Sequence, residues 1–365
     1  MASQNFDVVV IGGGPGGYVA AIRAAQLGSK AAVIERERLG GICLNWGCIP
    51  TKALLKNAEL VDHLKHGAEW GISADNIRLD FPKMIKRSRG VADKMASGID
   101  FLMKKNKITP IAGEARLAAK DRVVVTAKDG SKTEVTAKHI VIATGARPRT
   151  LPGVEIDRER IISSREAMSL PEQPKSLVII GAGAIGIEFA YFYTVLGTKV
   201  TVLEAKDTIL PIEDAEISAV VHKSLKHKGA DIMTGVLVEG VKKTADGVEV
   251  VYKKGKDGKP ESVKAEKCLM AVGVTGNVEN LGLEALGVVV ERGHIKVDSH
   301  FKTNVAGVYA IGDVVGPPWL AHVASAEGEH CIDAIHGHKA QPIDYSNIPG
   351  CTYCQPQVAS VGLTE

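Results

Sequence analysis

The segment GGICLNWGCIPTK, residues 40–52, sets Cys43 and Cys48 five positions apart, with glycines around them and Pro50 and Lys52 just after. Two thiols this close can hold a metal, cross-link a fold or exchange electrons. A metal site usually needs C-x2-C spacing and a second ligand pair, and no histidine lies nearby. A structural cross-link fits a reducing compartment poorly, where catalytic disulfides are the usual exception. The redox reading makes a geometric demand. Residues five apart in a regular helix have Cα atoms roughly 8–9 Å apart, beyond disulfide reach, so the turn between them must be distorted. Gly47 and Pro50 suit such a distortion. A distorted disulfide at a helix start is easier to reduce, and the helix N-terminus favours the thiolate.

Two glycine clusters pose a similar question of position. FDVVVIGGGPGG runs from a strand-like stretch into Gly12-x-Gly14-x-x-Gly17, then a predicted helix over residues 18–27 and a second strand, KAAVIE, ending at Glu35. SLVIIGAGAIG repeats the pattern with Gly181, Gly183 and Gly186, a helix to Leu196, and KVTVLE ending at Glu204. Glu35 follows Gly17 by 18 positions, Glu204 follows Gly186 by 18, and the units are offset by 169 residues. In such a unit the first glycine makes the turn, the second lets backbone approach a pyrophosphate, and the third lets helix pack on strand. The helix N-terminus offers N–H groups to the phosphates, and the acid accepts the ribose hydroxyls. Two dinucleotides are therefore expected in one chain. Glu204 would repel a 2′-phosphate and favours NAD over NADP, and Lys206 alone does not outweigh it.

These units sit in a chain of 365 residues, long enough for two or three domains, with 45% hydrophobic and 24% charged residues as in a soluble globular protein. A net charge of +3 with no basic stripe gives a nucleic-acid partner little support. The start, MASQNFDVVVIGGG, lacks the basic residues of a secretory or transit signal, so a cytoplasmic, reducing setting is expected. Residues 177–197 have membrane length, but GAGAIG within them divides the stretch into strand, turn and helix, and no membrane partner is expected. Between the glycine units, residues 88–108 read as an amphipathic helix, and residues 115–145 as strands joined by an Asp129-Gly130 turn. Residues 247–273 read as a second hairpin pattern whose lysines form a solvated face. Cys351 and Cys354 have C-x2-C spacing, but as a lone half-site they read as two packed thiols; no metal is expected.

GGICLNWGCIPTK, the paired glycine units, VIATGARP and VYAIGD together resemble the flavin-dependent pyridine nucleotide–disulfide oxidoreductases across essentially the whole chain, most closely the branch that oxidises dihydrolipoamide. The resemblance implies an α/β fold of two Rossmann-like three-layer dinucleotide-binding domains. FAD would occupy residues 1–149 and 277–344, NAD residues 150–276, and residues 345–365 would begin an α+β C-terminal dimerisation domain. It implies that Cys43 is the interchange thiol, that Cys48 lies over the flavin, and that Lys52 stands near flavin N5 with Glu188 as its ion-pair partner. Asp313 would bind the ribityl chain, with Ala321 and His322 following along the cofactor. Arg36, Gly41, Gly113, Thr144 and Gly145 would complete the FAD site, and Val238 and Gly273 the NAD site. Electrons would pass from dihydrolipoamide on a lipoyl-bearing domain through the cysteine pair and FAD to NAD⁺, as the shared third component of 2-oxo acid dehydrogenase complexes. In the full-length family the enzyme is a homodimer.

Departures from the family pattern carry expectations of their own. Members continue for roughly another hundred residues, on the scale of one domain, and a histidine–glutamate pair near their end reaches the partner subunit as acid–base catalyst. This sequence stops at VGLTE, so a fragment with weak thiol turnover is expected, and QPQVASVGLTE reads as a strand with little to pair with, open to aggregation. Light scattering tests that, a clean stable dimer counting against it. Trp46 stands where the family often has valine, shielding the disulfide or packing on a partner, and Gly276 stands where proline is common, loosening the link between domains. A mercuric-reductase-like relative, a plain diaphorase and a complex-binding module without turnover are the competing readings, and Glu204 argues against an NADP-dependent glutathione reductase.

Overall fold

The computed structural model of the chain describes residues 3–255, 257–339 and 341–365. The chain forms two compact units interleaved along the sequence. The first takes residues up to Asn45, then Ala92–Arg147 and Val274–Tyr345; the second takes Trp46–Val91, Pro148–Gly273 and Ser346–Glu365.

The first unit is built on a seven-stranded sheet. Its centre is the strand Ser3–Ile11, parallel to Ala31–Glu35 on one side and Lys132–Ile142 on the other. Val8, Val9 and Val10 are fully buried, which is why this stretch reads as a continuous apolar run rather than an alternation: a parallel strand is covered on both faces. Thr109–Ala112 extends the parallel side, and Val308–Ala310 pairs with the end of Lys132–Ile142. The beginning of Lys132–Ile142 stays parallel to the central strand on one edge and, on its other edge, opens an antiparallel meander with Arg122–Thr126 and Glu114–Ala119. The Asp129-Gly130 turn forms as expected, with Gly130 at φ +82 and the Ala127 N–H donating to the Ser131 carbonyl at 2.9 Å.

The second unit has a five-stranded parallel sheet in the order Asp231–Met233, Lys199–Leu203, Ser176–Ile180, Lys267–Met270, Ile161–Ile162. A three-stranded antiparallel sheet, Val236–Lys243, Val248–Lys254 and Pro260–Ala265, accompanies it. The helix Ala184–Leu196 is buried from Gly186 to its end, and Phe189, Tyr191, Phe192 and Tyr193 are among its largest fully buried side chains. A helix buried all round has no polar face, so residues 177–197 reach membrane length while forming the centre of a globular core. Among the described residues no helix is long and apolar enough to cross a membrane.

Several expectations are corrected. The helix expected over 88–108 is Phe81–Lys105. Its start was signalled by Asp80 and Pro82: the Asp80 carboxylate accepts the Lys83 N–H at 3.0 Å, as an N-cap does. The end strand does not lack a partner, because Val358–Ser360 pairs antiparallel with Gly350–Thr352. Cys351 and Cys354 do not pack together as a buried pair: Cys354 is fully buried and Cys351 is exposed. At Gly276 a Cβ would lie 2.4 Å from the Gly293 carbonyl oxygen, so the backbone approaches closely there.

Candidate functional site

The first and third glycines of the two loops meet matching obstacles. A Cβ at Gly12 would lie 2.2 Å from the Ala143 carbonyl oxygen, and one at Gly181 would lie 2.4 Å from that of Ala271. Both positions have φ near +100, where L side chains are strained (Gly12 +109, Gly181 +99). At Gly17 the obstacle is the Gly12 carbonyl at 1.9 Å, and at Gly186 the Gly181 carbonyl at 2.0 Å, so each third glycine lets its helix touch its own loop. The middle glycines differ in kind. Gly183 meets nothing within 4 Å, and Gly14 meets only the Cα of Gly41 at 3.8 Å. Both are helix N-caps without a side-chain cap, which leaves the first N–H groups of each helix without a side-chain partner there.

The acids repeat as well. Glu35 accepts the Gly13 N–H at 2.7 Å and the Glu37 N–H at 2.8 Å. Glu204 accepts the Ala182 N–H at 2.6 Å and the Lys206 N–H at 2.8 Å. One N–H on each oxygen fixes both carboxylates and leaves each oxygen a lone pair for a ribose hydroxyl.

Within the first unit, Arg36, Glu37, Gly113, Glu114, Thr126, Ala127 and Lys128 line a cleft of about 380 Å³ just beyond Glu35. Gly113, at φ +149, could not carry a side chain, as its Cβ would sit 2.6 Å from the Thr126 carbonyl. A separate cleft of about 210 Å³ in the second unit, around Ile212–Ile217 and residues 358–365, touches none of the predicted residues. Thr144 and Gly145 are locked by Asn277, which donates to the Thr144 carbonyl at 2.8 Å and to the Gly145 carbonyl at 2.9 Å, while the Thr144 hydroxyl donates to the Asn277 carbonyl. Gly41 opens the helix Gly41–Trp46, which carries Cys43, and its Cβ would strike the Gly14 Cα at 2.5 Å. Asp313 lies in the 3-10 turn Gly312–Val314; burial, reinforced by the Glu327 carboxylate, pushes its carboxyl up to about 6. Glu327 is buried, accepting the Gly312 N–H at 2.6 Å and the Tyr345 hydroxyl at 2.7 Å. Ala321 begins the helix Ala321–Ile335, with His322 exposed beside it.

Within the second unit, the helix Cys48–Lys65 begins directly after Gly47, whose backbone (φ −145, ψ −117) breaks it from the preceding helix. A pairing of Cys43 with Cys48 would require such a distorted turn. Cys48 occupies the first helical position, and the Thr51 N–H and hydroxyl both donate to the Gly47 carbonyl, at 3.1 and 2.7 Å. Lys52, one turn on from Cys48, donates to both carboxylate oxygens of Glu188, at 2.8 and 2.9 Å. The Glu188 side chain is only 4% exposed. Tyr353 completes the group: its N–H donates to Glu188 at 2.8 Å, and its ring centroid lies 4.8 Å from the Lys52 Nζ. Val238 lies at a register shift in Val236–Lys243, and Gly273, at φ +95, accepts the Arg149 N–H. Burial, with Glu188 adding to it, pushes the Cys354 thiol up to about 12.

Sequence reasoning missed Asn277, Glu327 and Tyr353. Nothing in the local pattern distinguishes any of the three. Each acts through contacts more than ten residues away along the chain.

The open middle glycines, uncapped helix starts and fixed acids form cradles that a side chain would fill, and they fit two dinucleotides. The chain matches the family described as pyridine nucleotide-disulphide oxidoreductase over residues 6–328. It is 50% identical to a dihydrolipoyl dehydrogenase of Rhizobium etli over the whole of this chain and 79% of that protein. It is 43% identical to one of Bacillus subtilis, again over the whole chain and 78% of the relative. Among solved structures it resembles LpdA of Mycobacterium tuberculosis, with a TM-score of 0.91 and 31% identity over 99% of this chain and 78% of that one. The HOCl-induced flavoprotein disulfide reductase RclA of Escherichia coli follows at a TM-score of 0.87 and 27% identity, over 99% of this chain and 78% of that one. Such oxidoreductases work with FAD and NAD(H), which the two cradles accommodate. The chain belongs to the pyridine nucleotide-disulphide oxidoreductase family, in its dihydrolipoyl dehydrogenase branch.

Proposed function

We propose that the chain oxidises dihydrolipoamide carried on a lipoyl-bearing protein domain, with Cys43 and Cys48 as the redox pair, and that it serves a 2-oxo acid dehydrogenase complex. The observation that carries this reading is the helix break at Gly47. It puts Cys48 at a helix N-terminus, one turn before a Lys52 anchored by the buried Glu188. A helix end at Cys48 and an anchored lysine one turn on are the surroundings that a redox-active thiol uses.

A substrate thiolate would attack Cys43 of the oxidised pair, breaking the S–S bond and releasing Cys48 as thiolate, the better leaving group the lower its basicity. The second substrate thiol would then displace Cys43, closing the lipoamide disulfide. Two electrons thereby move from substrate to the cysteine pair. FAD, when bound, supplies a two-electron acceptor for that pair, and NAD⁺ the final hydride acceptor. Gly14 and Glu35 with Arg36 and Gly113 would hold FAD, with Asp313 further along it; Gly183 and Glu204 would hold NAD. Glu188 keeps Lys52 in place, and Tyr353 keeps Glu188 in place.

The test is anaerobic. FAD-loaded chain is mixed with dihydrolipoamide while the flavin absorbance is followed, and a parallel sample receives NADH. Bleaching by both is expected; bleaching by NADH alone would remove dihydrolipoamide as the substrate of this chain.

A further inference from the structure

We infer that Arg165 and Trp46 form a clamp that positions the redox cysteines, Arg165 acting through the Trp46 ring to hold open the helix break the disulfide requires. The inference rests on the reading of Cys43 and Cys48 as a redox pair and adds residues that reading does not use.

Trp46 lies between the two cysteines and immediately before Gly47, the residue whose backbone breaks the helix. Its side chain is half-buried and packs against the core of the second unit. On the ring stands the Arg165 guanidinium, its Cζ 4.0 Å from the centroid, a close cation–π stack. Arg165 itself stands on a rigid base. Its short helix, Ser164–Ala167, starts with a reciprocal capping box, in which the Ser163 hydroxyl accepts the Arg165 N–H at 3.2 Å and Glu166 accepts the Ser163 N–H at 2.9 Å. Ala167 and Met168 after it are fully buried, and the Ala167 carbonyl accepts the Tyr193 hydroxyl.

A side chain held between a core and a fixed cation cannot swing with its backbone. If Gly47 annealed into regular helix, Trp46 would rotate off the Arg165 plane and the stack would be lost. Regular helix is also the geometry in which thiols five apart are out of disulfide reach. The clamp therefore stabilises the oxidised pair relative to the dithiol, and the stack contributes a few-fold to that equilibrium. A planar guanidinium is suited to the role, since it stacks flat on an indole in a way an ammonium does not.

Both cysteines and Trp46 fall on one tryptic peptide, residues 39–52, so the state of the pair can be read directly. The FAD-loaded chain is equilibrated anaerobically in dithiothreitol buffers of stepped ratio, quenched in acid, alkylated and digested, and that peptide is quantified by mass spectrometry. In this equilibrium the two thiols give up two electrons and two protons as the Cys43–Cys48 bond forms. Oxidised dithiothreitol opens its own S–S bond to take them. Arg165→Leu is expected to lower the equilibrium constant for disulfide formation by about two- to five-fold, the scale of a surface cation–π contact, or about 10–20 mV at 29.6 mV per tenfold. Arg165→Lys keeps a cation over the ring and recovers part of the loss. Trp46→Val reproduces the loss, and the double variant falls no further than either single one. An unchanged constant in Arg165→Leu and in Trp46→Val overturns the clamp, as does a double variant whose losses simply add. Should Arg165→Leu fail to fold, Trp46→Val decides alone. A parent chain that forms no Cys43–Cys48 disulfide in any buffer overturns the redox reading as well, so the two failures are told apart.

Discussion

Gly183→Ala separates the dinucleotide cradle from the scaffold that carries it. At Gly183 the backbone is ordinary extended chain (φ −71, ψ −177), and an added Cβ meets nothing within 4 Å. The fold therefore loses only the difference between glycine and alanine as N-cap, about 1 kcal/mol, or about 2–4 °C in melting temperature. The methyl group would stand where a pyrophosphate must reach the N–H groups behind it. Losing one hydrogen bond to a charged group is worth about 1.5–3 kcal/mol, so the Kd for NADH should rise roughly tenfold to 150-fold. Three positions along, Gly186→Ala behaves differently. Its Cβ would lie 2.0 Å from the Gly181 carbonyl oxygen, a backbone atom with no rotamer to escape into. Overpacking there costs about 3 kcal/mol, offset by about 1 for alanine in a helix, leaving a melting loss of about 4–8 °C. Calorimetric NADH titration, a thermal melt and the bound-FAD ratio read all three quantities. The FAD ratio of Gly183→Ala should match the parent, because the cradle proposed for FAD lies in the other unit. Unchanged NADH affinity in Gly183→Ala, or loss of FAD alongside NADH, would refute the reasoning.

Cys43→Ser should abolish NADH formation from dihydrolipoamide while leaving NADH-driven dye reduction; loss of both would sink the role given to Cys43. Glu188→Gln keeps shape but removes the carboxylate facing Lys52, and should cost about 1–3 kcal/mol by denaturant unfolding, with Lys52→Met restoring part in the double variant; purely additive losses would show no coupling. Burial and Glu327 raise the Asp313 carboxyl to about 6 from 3.8, so the folded chain holds that proton more tightly than the unfolded one. Its contribution is full below about pH 3.8 and is lost as pH rises through about 6, up to about 3 kcal/mol before screening. Flavin-stripped Asp313→Asn should therefore melt above the parent at pH 7 and alongside it near pH 4; equal melting at both would contradict the shift.

Where a residue's job is local, the sequence already displayed it. The glycine loops were readable because turn, close approach and helix start all fall within six residues, and the acids because one helix and one strand separate them from the loop in both units. A distortion between the cysteines was to be expected if they pair, and Gly47, one of the two residues suited to it, is where the helix breaks. The unexpected features depend on distance. Nothing in residues 46–91 signals that they group with the second unit, because that grouping comes from Leu54, Leu55, Ala58 and Val61 packing in its core. Tyr353 reaches Glu188 across 165 residues through a backbone N–H, which every residue but proline carries and which therefore leaves no trace in residue type. The early start of Phe81–Lys105 was visible in Asp80 and Pro82, and went unread because the apolar periodicity further along dominated the pattern.

The duplicated loops leave the chain with a sorting problem. Two cradles built to the same internal pattern would, on the proposed reading, hold adenine dinucleotides by their shared half, pyrophosphate and ribose, so neither loop would recognise its own ligand. Discrimination must come from the surroundings, and these differ. At Gly14 the neighbouring backbone of Gly41 closes in, and Arg36 and Gly113 shape a cleft beyond Glu35; at Gly183 the cradle opens freely. The enclosed cradle suits a ligand that stays for the life of the protein, and the open one suits a ligand that must leave after every cycle. A drug or metabolite that mimics only the common adenosine half would find both doors, and would exchange readily at only one of them.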